Sequence, residues 1–412
     1  MNLRLGLSAA MALLVGCQTM QAYEQVQAVP REQLDAFLAD KPAPARRLYA
    51  RVPLEGKRNE TLNQMRAGLA AMELGDTINA ARSFDVALNQ IEAVYADNET
   101  AAQARSLWTK ENFKDFKGEP YERGMPYYYR GLLYMMEGDY QNARASFKGG
   151  VLQTAFSNNE RYDADFALLT FLEGWAARCA NAGNVASDAF SAAAKSNPAL
   201  VEPPNNHSVL VLAEFGSAPA KVAGGGNREY LSFQHGEEAR AQGLSLLPGG
   251  PETAVQQGVD LYHQAVVRGG RQIDGILAGK AQFKDTTNIV ATGATYAGLA
   301  VMANARNRDD YNAGALIALA GILGQAAAAA MRPDADLRAW DNIPGTIHLA
   351  TLDLKDMTDR RQLESKVLGA GGEELRRTSL EVRTQGGCSL VWFRDKSALQ
   401  VPDSAPGAVV MR

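Results

Sequence analysis

The sequence predicts a mainly α protein, in which an N-terminal array of helical hairpins precedes a mixed α+β domain. Three observations lead there. Glycines, alanines and phenylalanines recur at matched offsets between residues 61 and 200. The turn-forming run Pro203-Pro204-Asn205-Asn206 then separates that stretch from short strand-like runs. The composition, 46% hydrophobic and 21% charged over 412 residues, is that of a folded chain with room for two or three domains.

The chain opens on a leader. Arg4 is its one charge, and Leu5 to Val15 form an apolar run shorter than the ~20 residues a membrane-spanning helix needs. The run ends at Leu14-Val15-Gly16-Cys17, which resembles the lipobox of bacterial lipoproteins. That resemblance implies lipid on the Cys17 thiol, cleavage before it, and acyl chains such as palmitate. Several chains, at about 0.8 kcal/mol per buried CH₂, hold a protein at a membrane without a span. Gln18 after the cysteine, in place of Asp, implies the outer membrane with the protein facing the periplasm. Residues 1–16 are then a signal peptide and 17–60 an anchor and tether, interrupted by Pro30, Pro42, Pro44 and Pro53.

The formal charge of −4, with no long basic run, excludes a nucleic-acid partner as an expectation. Beyond Cys17 the cysteines are Cys179 and Cys388. An oxidising periplasm lets them pair, whereas isolated, apolar-flanked cysteines are more often simply buried; the sequence leaves both readings open.

Residues 61–200 carry the most informative pattern. Gly68, Gly75, Ala80, Phe84 and Ala87 recur as Gly131, Gly138, Ala143, Phe147 and Gly150. The set returns in weaker form as Gly174, Ala186, Phe190, Ala193 and Pro198. These offsets resemble the tetratricopeptide repeat, a helix–turn–helix unit. Small residues let the paired helices approach, Gly75-Asp76 and Gly138-Asp139 break the chain between them, and the phenylalanines fill the groove. The units fall near 61–94, 124–157 and 167–200, with insertions near 95–123 and 158–166.

The first insertion mixes aromatics with both signs of charge, a composition common on recognition surfaces. Phe113, Phe116, Tyr121, Tyr127 and Tyr128 are the candidate partner contacts; the competing reading has them packing over an edge of the array. The stretch to Phe147, with Ala213-Glu214-Phe215-Gly216 and Trp340-Asp341-Asn342-Ile343-Pro344, resembles a group of bacterial outer-membrane lipoproteins that has no established biochemical activity. The resemblance implies location and architecture, and no reaction.

Residues 205–395 read as an α+β domain. Val209–Glu214, Tyr230-Leu231, Thr346–Leu354, Ser379–Arg383 and Ser389–Arg394 have strand character. Helices are expected at about 254–278, 288–305 and 311–331, covering one face of a small sheet. Tyr311 to Met331 carries no charge, but its alanine and glycine content favours a buried helix pair over a membrane hairpin. Residues 396–412 read as a flexible tail.

Chemistry is hard to find. His207, His235, His263 and His348 stand singly, without the i+4 partner of a metal-binding helix. His235-Gly236-Glu237-Glu238 reads as a solvated helix start. Gly224-Gly225-Gly226 lacks the Lys-Ser/Thr of a phosphate cradle, and Gly269-Gly270-Arg271 reads as a kink. Cys388 has no assigned histidine partner for a nucleophile role. No catalytic residue, metal or small-molecule cofactor is therefore expected. The expected function is that of a lipid-anchored envelope scaffold or adaptor, gripping an unidentified envelope protein through its helical array. The alternatives are membrane insertion through 288–331 and a cell-wall hydrolase using Glu237 or Glu238.

Overall fold

The computed structural model describes residues 27–96, 115–116, 118–155, 166–224, 230–267 and 336–400, with single positions at 297, 302 and 317. Cys17, Phe113, the stretch 288–331 apart from those single positions, Gly269-Gly270-Arg271 and residues 401–412 lie outside them. Among the described residues no helix is long and apolar enough to cross a membrane.

The first half is helical. After α1 (Arg31–Leu38) and α2 (Arg46–Glu55) come three hairpins: α3 (Lys57–Glu73) with α4 (Thr77–Ala96), α5 (Pro120–Glu137) with α6 (Tyr140–Ala155), and α7 (Ala167–Cys179) with α8 (Gly183–Ser196). Each hairpin turns on a left-handed residue: Gly75 (φ 78°), Gly138 (φ 79°) and Asn181 (φ 60°). The amide after each reaches back five residues, Asp76 to Ala71, Asp139 to Tyr134 and Ala182 to Ala177, and so satisfies a carbonyl at the helix end. Asp76 and Asp139 then cap the following helices, accepting from the amides of Asn79 and Asn142 at 3.1 Å. The contact inside each hairpin is also shared. A Cβ on Gly68 would stand 3.3 Å from the Phe84 ring, on Gly131 2.4 Å from Phe147, and on Gly174 3.0 Å from Phe190.

The second half is built on two sheets. A five-stranded sheet has the order β10-β11-β1-β7-β6, comprising Arg383–Gln385, Cys388–Arg394, Val209–Phe215, Thr346–Leu352 and Gln256–Asp260. β1 runs parallel to β11 and antiparallel to β7. A four-stranded sheet has the order β5-β4-β8-β9, comprising Thr253–Ala254, Ala241–Leu247, Gln362–Gly369 and Glu374–Glu381. A hairpin of β2 (Ala220–Gly224) and β3 (Tyr230–Gln234) stands apart, and α9 (Leu261–Val267) follows β6.

These elements stack in three layers. Val209, Val211, Ala213 and Phe215 of β1 face the smaller sheet, packing with Leu244, Leu246, Leu363, Val367 and Val391. Leu210 and Leu212 face the other way, into the helices. All seven residues of β1 are buried, which is why it reads as a near-continuous apolar run without alternation. The first helices of the hairpins lie against this central sheet. α3 and α5 are consequently buried on nearly every side, with their own hairpin partners behind them and the sheet in front.

Several expectations need correction. Of the helix expected at 254–278, Gln256–Asp260 is strand and only Leu261–Val267 is helix among the described residues: β6 pairs with β7, and its Gly258 lies so close that a Cβ there would stand 2.6 Å from Leu349. His235–Glu238 is a loop between β3 and β4, not a helix start. Among the described residues, the second half holds two packed sheets, the β2–β3 hairpin and α9, and the layer of helices on its central sheet comes from the first half. Residues 43–60 belong to that layer more than to a tether, since Ala45, Leu48 and Tyr49 are core residues. Likewise Ala398, in the expected tail, is fully buried.

Cys179, at the end of α7, is disulfide-bonded to Cys388 at the start of β11. Their Cα atoms are 5.8 Å apart, and 209 residues of sequence separate them. The bridge joins the helical half to the central sheet.

Candidate functional site

The polar chemistry of the molecule gathers where the hairpins meet the central sheet. β1 places one carboxylate, Glu214, on the helix-facing side of an otherwise apolar strand. The Glu214 side chain is 1% exposed. Four donors converge on it. The hydroxyl of Tyr128 (3.1 Å) and the indole N–H of Trp392 (2.8 Å) donate to Oε1. The hydroxyl of Tyr129 (3.0 Å) and Nη1 of Arg394 donate to Oε2. Burial pushes the Glu214 carboxyl above the usual range, and Arg394 with the three neutral donors pulls it back. Burial also holds the Tyr128 and Tyr129 hydroxyls well above their ordinary values, so both stay protonated and donating.

A carboxylate offers about four lone-pair sites, and here all four are taken. Glu214 therefore has no vacant position from which to accept a substrate proton. The cluster reads as a clasp between layers: Tyr128 and Tyr129 come from α5, Trp392 and Arg394 from β11.

The clasp extends through Trp340–Asn342. Arg66 of α3 grips Asp341 with two bonds of 2.8 Å, and also donates to the Ala339 carbonyl. Asn342 donates to the carbonyls of Arg66 and Ala398 and accepts from the Trp340 indole at 2.7 Å. Arg394 Nη2 donates to the Asn342 carbonyl. On the far side, the buried pair Glu122–Lys221 (2.6 Å) ties α5 to β2, and Glu122 accepts from the Trp340 amide. Burial raises the Glu122 carboxyl, with Lys221 opposing that shift.

Beside the clasp lies a cleft of about 220 Å³. Leu390, Trp392 and Arg394, alternate residues of β11, form one wall. Met72 and Glu73 at the end of α3 and Met136 at the end of α5 face them, with Glu381 and Arg383 at the mouth. Arg383 donates to Glu381 through Nε (3.1 Å) and Nη2 (3.0 Å) and approaches the Met136 sulfur. Deeper in, Arg394 Nε is buried without a hydrogen-bond partner, 4.0 Å from Glu73 Oε2.

The sequence candidates lie elsewhere. Phe116, Tyr121, Tyr127 and Tyr128 are between 0% and 6% exposed, so they fill the interior and present no surface to a partner. Phe116 packs beneath Lys221, and Tyr127 donates to Glu92 at 2.8 Å. Glu237 sits on the β3–β4 loop and pairs with Lys396 at 3.2 Å. His235 stacks on Tyr262, and His207 Nδ1 bonds the Thr351 hydroxyl at 2.8 Å. Cys388 has no thiol to offer, being in the disulfide. Among the described residues, no three or more His, Cys, Asp or Glu are grouped to hold a metal ion.

Sequence reasoning missed Glu73, Glu381, Arg383 and the Glu214–Arg394 pair. One signal was present: a lone Glu inside the apolar run Val209–Phe215 must be buried, and a buried charge needs partners. No family model, curated protein or solved structure matches this chain.

Proposed function

We propose that this chain is an exported lipoprotein, held at the outer membrane by lipid on Cys17, that works by binding an envelope partner and carries out no reaction of its own. The observation that carries the reading is the Cys179–Cys388 bridge. Disulfides form and persist in oxidising compartments, which agrees with a leader ending at Leu14-Val15-Gly16-Cys17. The saturated Glu214 carboxylate supports a structural use of the most conspicuous polar cluster.

The three hairpins share a glycine-on-phenylalanine contact and a left-handed turn residue, which supports reading them as tetratricopeptide-like units. Their first helices, however, are already covered by the chain's own sheet. A partner is accordingly assigned to the cleft at the hairpin ends or to the outward faces of α4, α6 and α8.

Metabolic labelling with an alkyne-bearing palmitate analogue tests the anchor. The protein expressed in a bacterium should take up label and fractionate with outer membranes. Cys17→Ala should lose the label and leave the membrane fraction; a Cys17→Ala protein that keeps both would overturn the proposal.

A further inference from the structure

The chain holds three cysteines, and the fold joins Cys179 to Cys388. In an oxidising compartment Cys17 is then an odd thiol that can compete for either partner. The native pair is also the later one to become available. Cys388 opens β11, which is placed by its parallel pairing with β1 and by its hairpin with β10. A chain delivered from its N-terminus exposes Cys17 and Cys179 before Cys388 has arrived. Until then the intramolecular partner open to Cys179 is Cys17.

Chain statistics do not guard against that error. Fewer residues separate Cys179 from Cys17 than from Cys388. Loop closure becomes rarer with about the 3/2 power of loop length, so an unfolded chain favours the wrong loop by about 1.5-fold. Folding removes the choice only at the end. The C-terminal ends of α3, α5 and α7 then lie against β10 and β11, through Glu73–Arg394, Met136–Arg383 and Cys179–Cys388. The Gln27 amide, by contrast, donates to the Leu54 carbonyl at 2.7 Å, so the chain enters the fold just before the start of α3. That helix has 17 residues and is about 26 Å long. Only the folded chain therefore sets Cys179 and Cys388 side by side, with Cα atoms 5.8 Å apart.

Thiol–disulfide exchange needs a thiolate, and a thioether sulfur cannot supply one. We propose that lipid transfer to Cys17 comes before oxidation of Cys179 and Cys388, and acts as a thiol cap that directs those two to each other. In the first step the Cys17 sulfur displaces the phosphate-ester headgroup from the glyceryl carbon of a phospholipid. An S–C bond replaces S–H, the C–O bond breaks, and the proton leaves with the headgroup. In the second step Cys179 and Cys388 give two electrons and two protons to the disulfide of a thiol oxidoreductase, which becomes a dithiol. The inference rests on the lipid reading of Cys17 and adds an order to the two modifications.

Three proteins, each exported by a bacterial host that lacks a disulfide isomerase so that first pairings persist, test this. One keeps its own leader. The second has residues 1–16 replaced by a signal peptide of the non-lipoprotein type, which leaves Cys17 a free thiol. The third is the second with Cys17→Ser. Free thiols are alkylated and the peptides are mapped without reduction. The protein with its own leader should show the Cys179–Cys388 pair and no other linkage. The unlipidated protein should lose about half or more of that pair to species linked through Cys17, and Cys17→Ser should restore it. A complete Cys179–Cys388 bridge beside alkylated Cys17 in the unlipidated protein would overturn the proposal, as would equal loss of the bridge in Cys17→Ser. Wild type without palmitate would remove the anchor and this proposal together. Labelled wild type with a clean bridge in the unlipidated protein would remove this proposal alone.

Discussion

At the scale of single residues, the molecule depends on a buried carboxylate whose acceptor sites are all filled. Glu214 lies at the centre of four donors. Removing one partner of a buried charge pair leaves the other uncompensated, and costs about 3–5 kcal/mol. Glu214→Ala should therefore lower the urea-unfolding free energy by about that amount, while Tyr129→Phe, which removes one neutral donor, should cost about 1 kcal/mol. Equal small effects would show that the clasp is not a stabilising centre. His348 gives a second prediction. Its ring packs edge-on against Phe215 on the side facing the smaller sheet, and burial lowers its pKa to about 4. The unfolded chain binds that proton near pH 6.5, so the unfolded state holds more protons between the two values. Stability present above about pH 6.5 is lost as pH falls toward 4. From pH 7 to pH 5 the loss from this residue is at most about 2 kcal/mol, and less to the extent that solvent screens a half-buried ring. Denaturation curves of wild type and His348→Leu at both pH values measure it; the same pH difference in both would contradict it.

At the scale of elements, the hairpins were legible and the strands less so. Gly75-Asp76 and Gly138-Asp139 read as breaks between helices, and in the fold each glycine is left-handed and each aspartate caps the next helix, which the sequence reading did not include. Phe84, Phe147 and Phe190 are expected in the groove between neighbours, and in the fold each lies against the glycine of its own hairpin. A Cβ at Gly131 would come within 2.4 Å of Phe147, whereas one at Gly183 meets nothing within 4 Å. Gly131→Ala should cost about 1–3 kcal/mol and Gly183→Ala should be neutral or mildly stabilising, as thermal melts would register. A harmless Gly131→Ala would undo the packing account. The misread elements have physical causes. Residues 256–260 show apolar spacing that also suits a helix, and only pairing with β7 makes them a strand. β8 alternates cleanly, with Leu363, Ser365 and Val367 inward, but lies in a charged stretch that masks the pattern. Aromatics around Tyr127 resembled a recognition surface because large side chains mark both interfaces and interiors. Only the presence of the central sheet decides between them.

At the scale of the whole molecule, the two halves are one packed unit. Arg66 meets Asp341 across 275 residues of sequence, a contact that no local pattern encodes. The core of the hairpins runs on into the central sheet, and a cleft lies beside it at the hairpin ends. The Cys179–Cys388 bridge closes a covalent loop across 209 residues of sequence. Constraining so long a loop in the unfolded chain contributes about 2–5 kcal/mol, so the Cys179→Ala/Cys388→Ala protein should unfold at correspondingly lower denaturant. An unchanged midpoint would show that packing alone sets the stability.

The most direct test of the proposal that this chain is an exported, disulfide-bonded lipoprotein is non-reducing peptide mass spectrometry of the full-length protein expressed in a bacterium. The account predicts an N-terminal peptide beginning at acylated Cys17, and a linked pair of peptides containing Cys179 and Cys388. A chain beginning at Met1, with both cysteines open to alkylation, would contradict it.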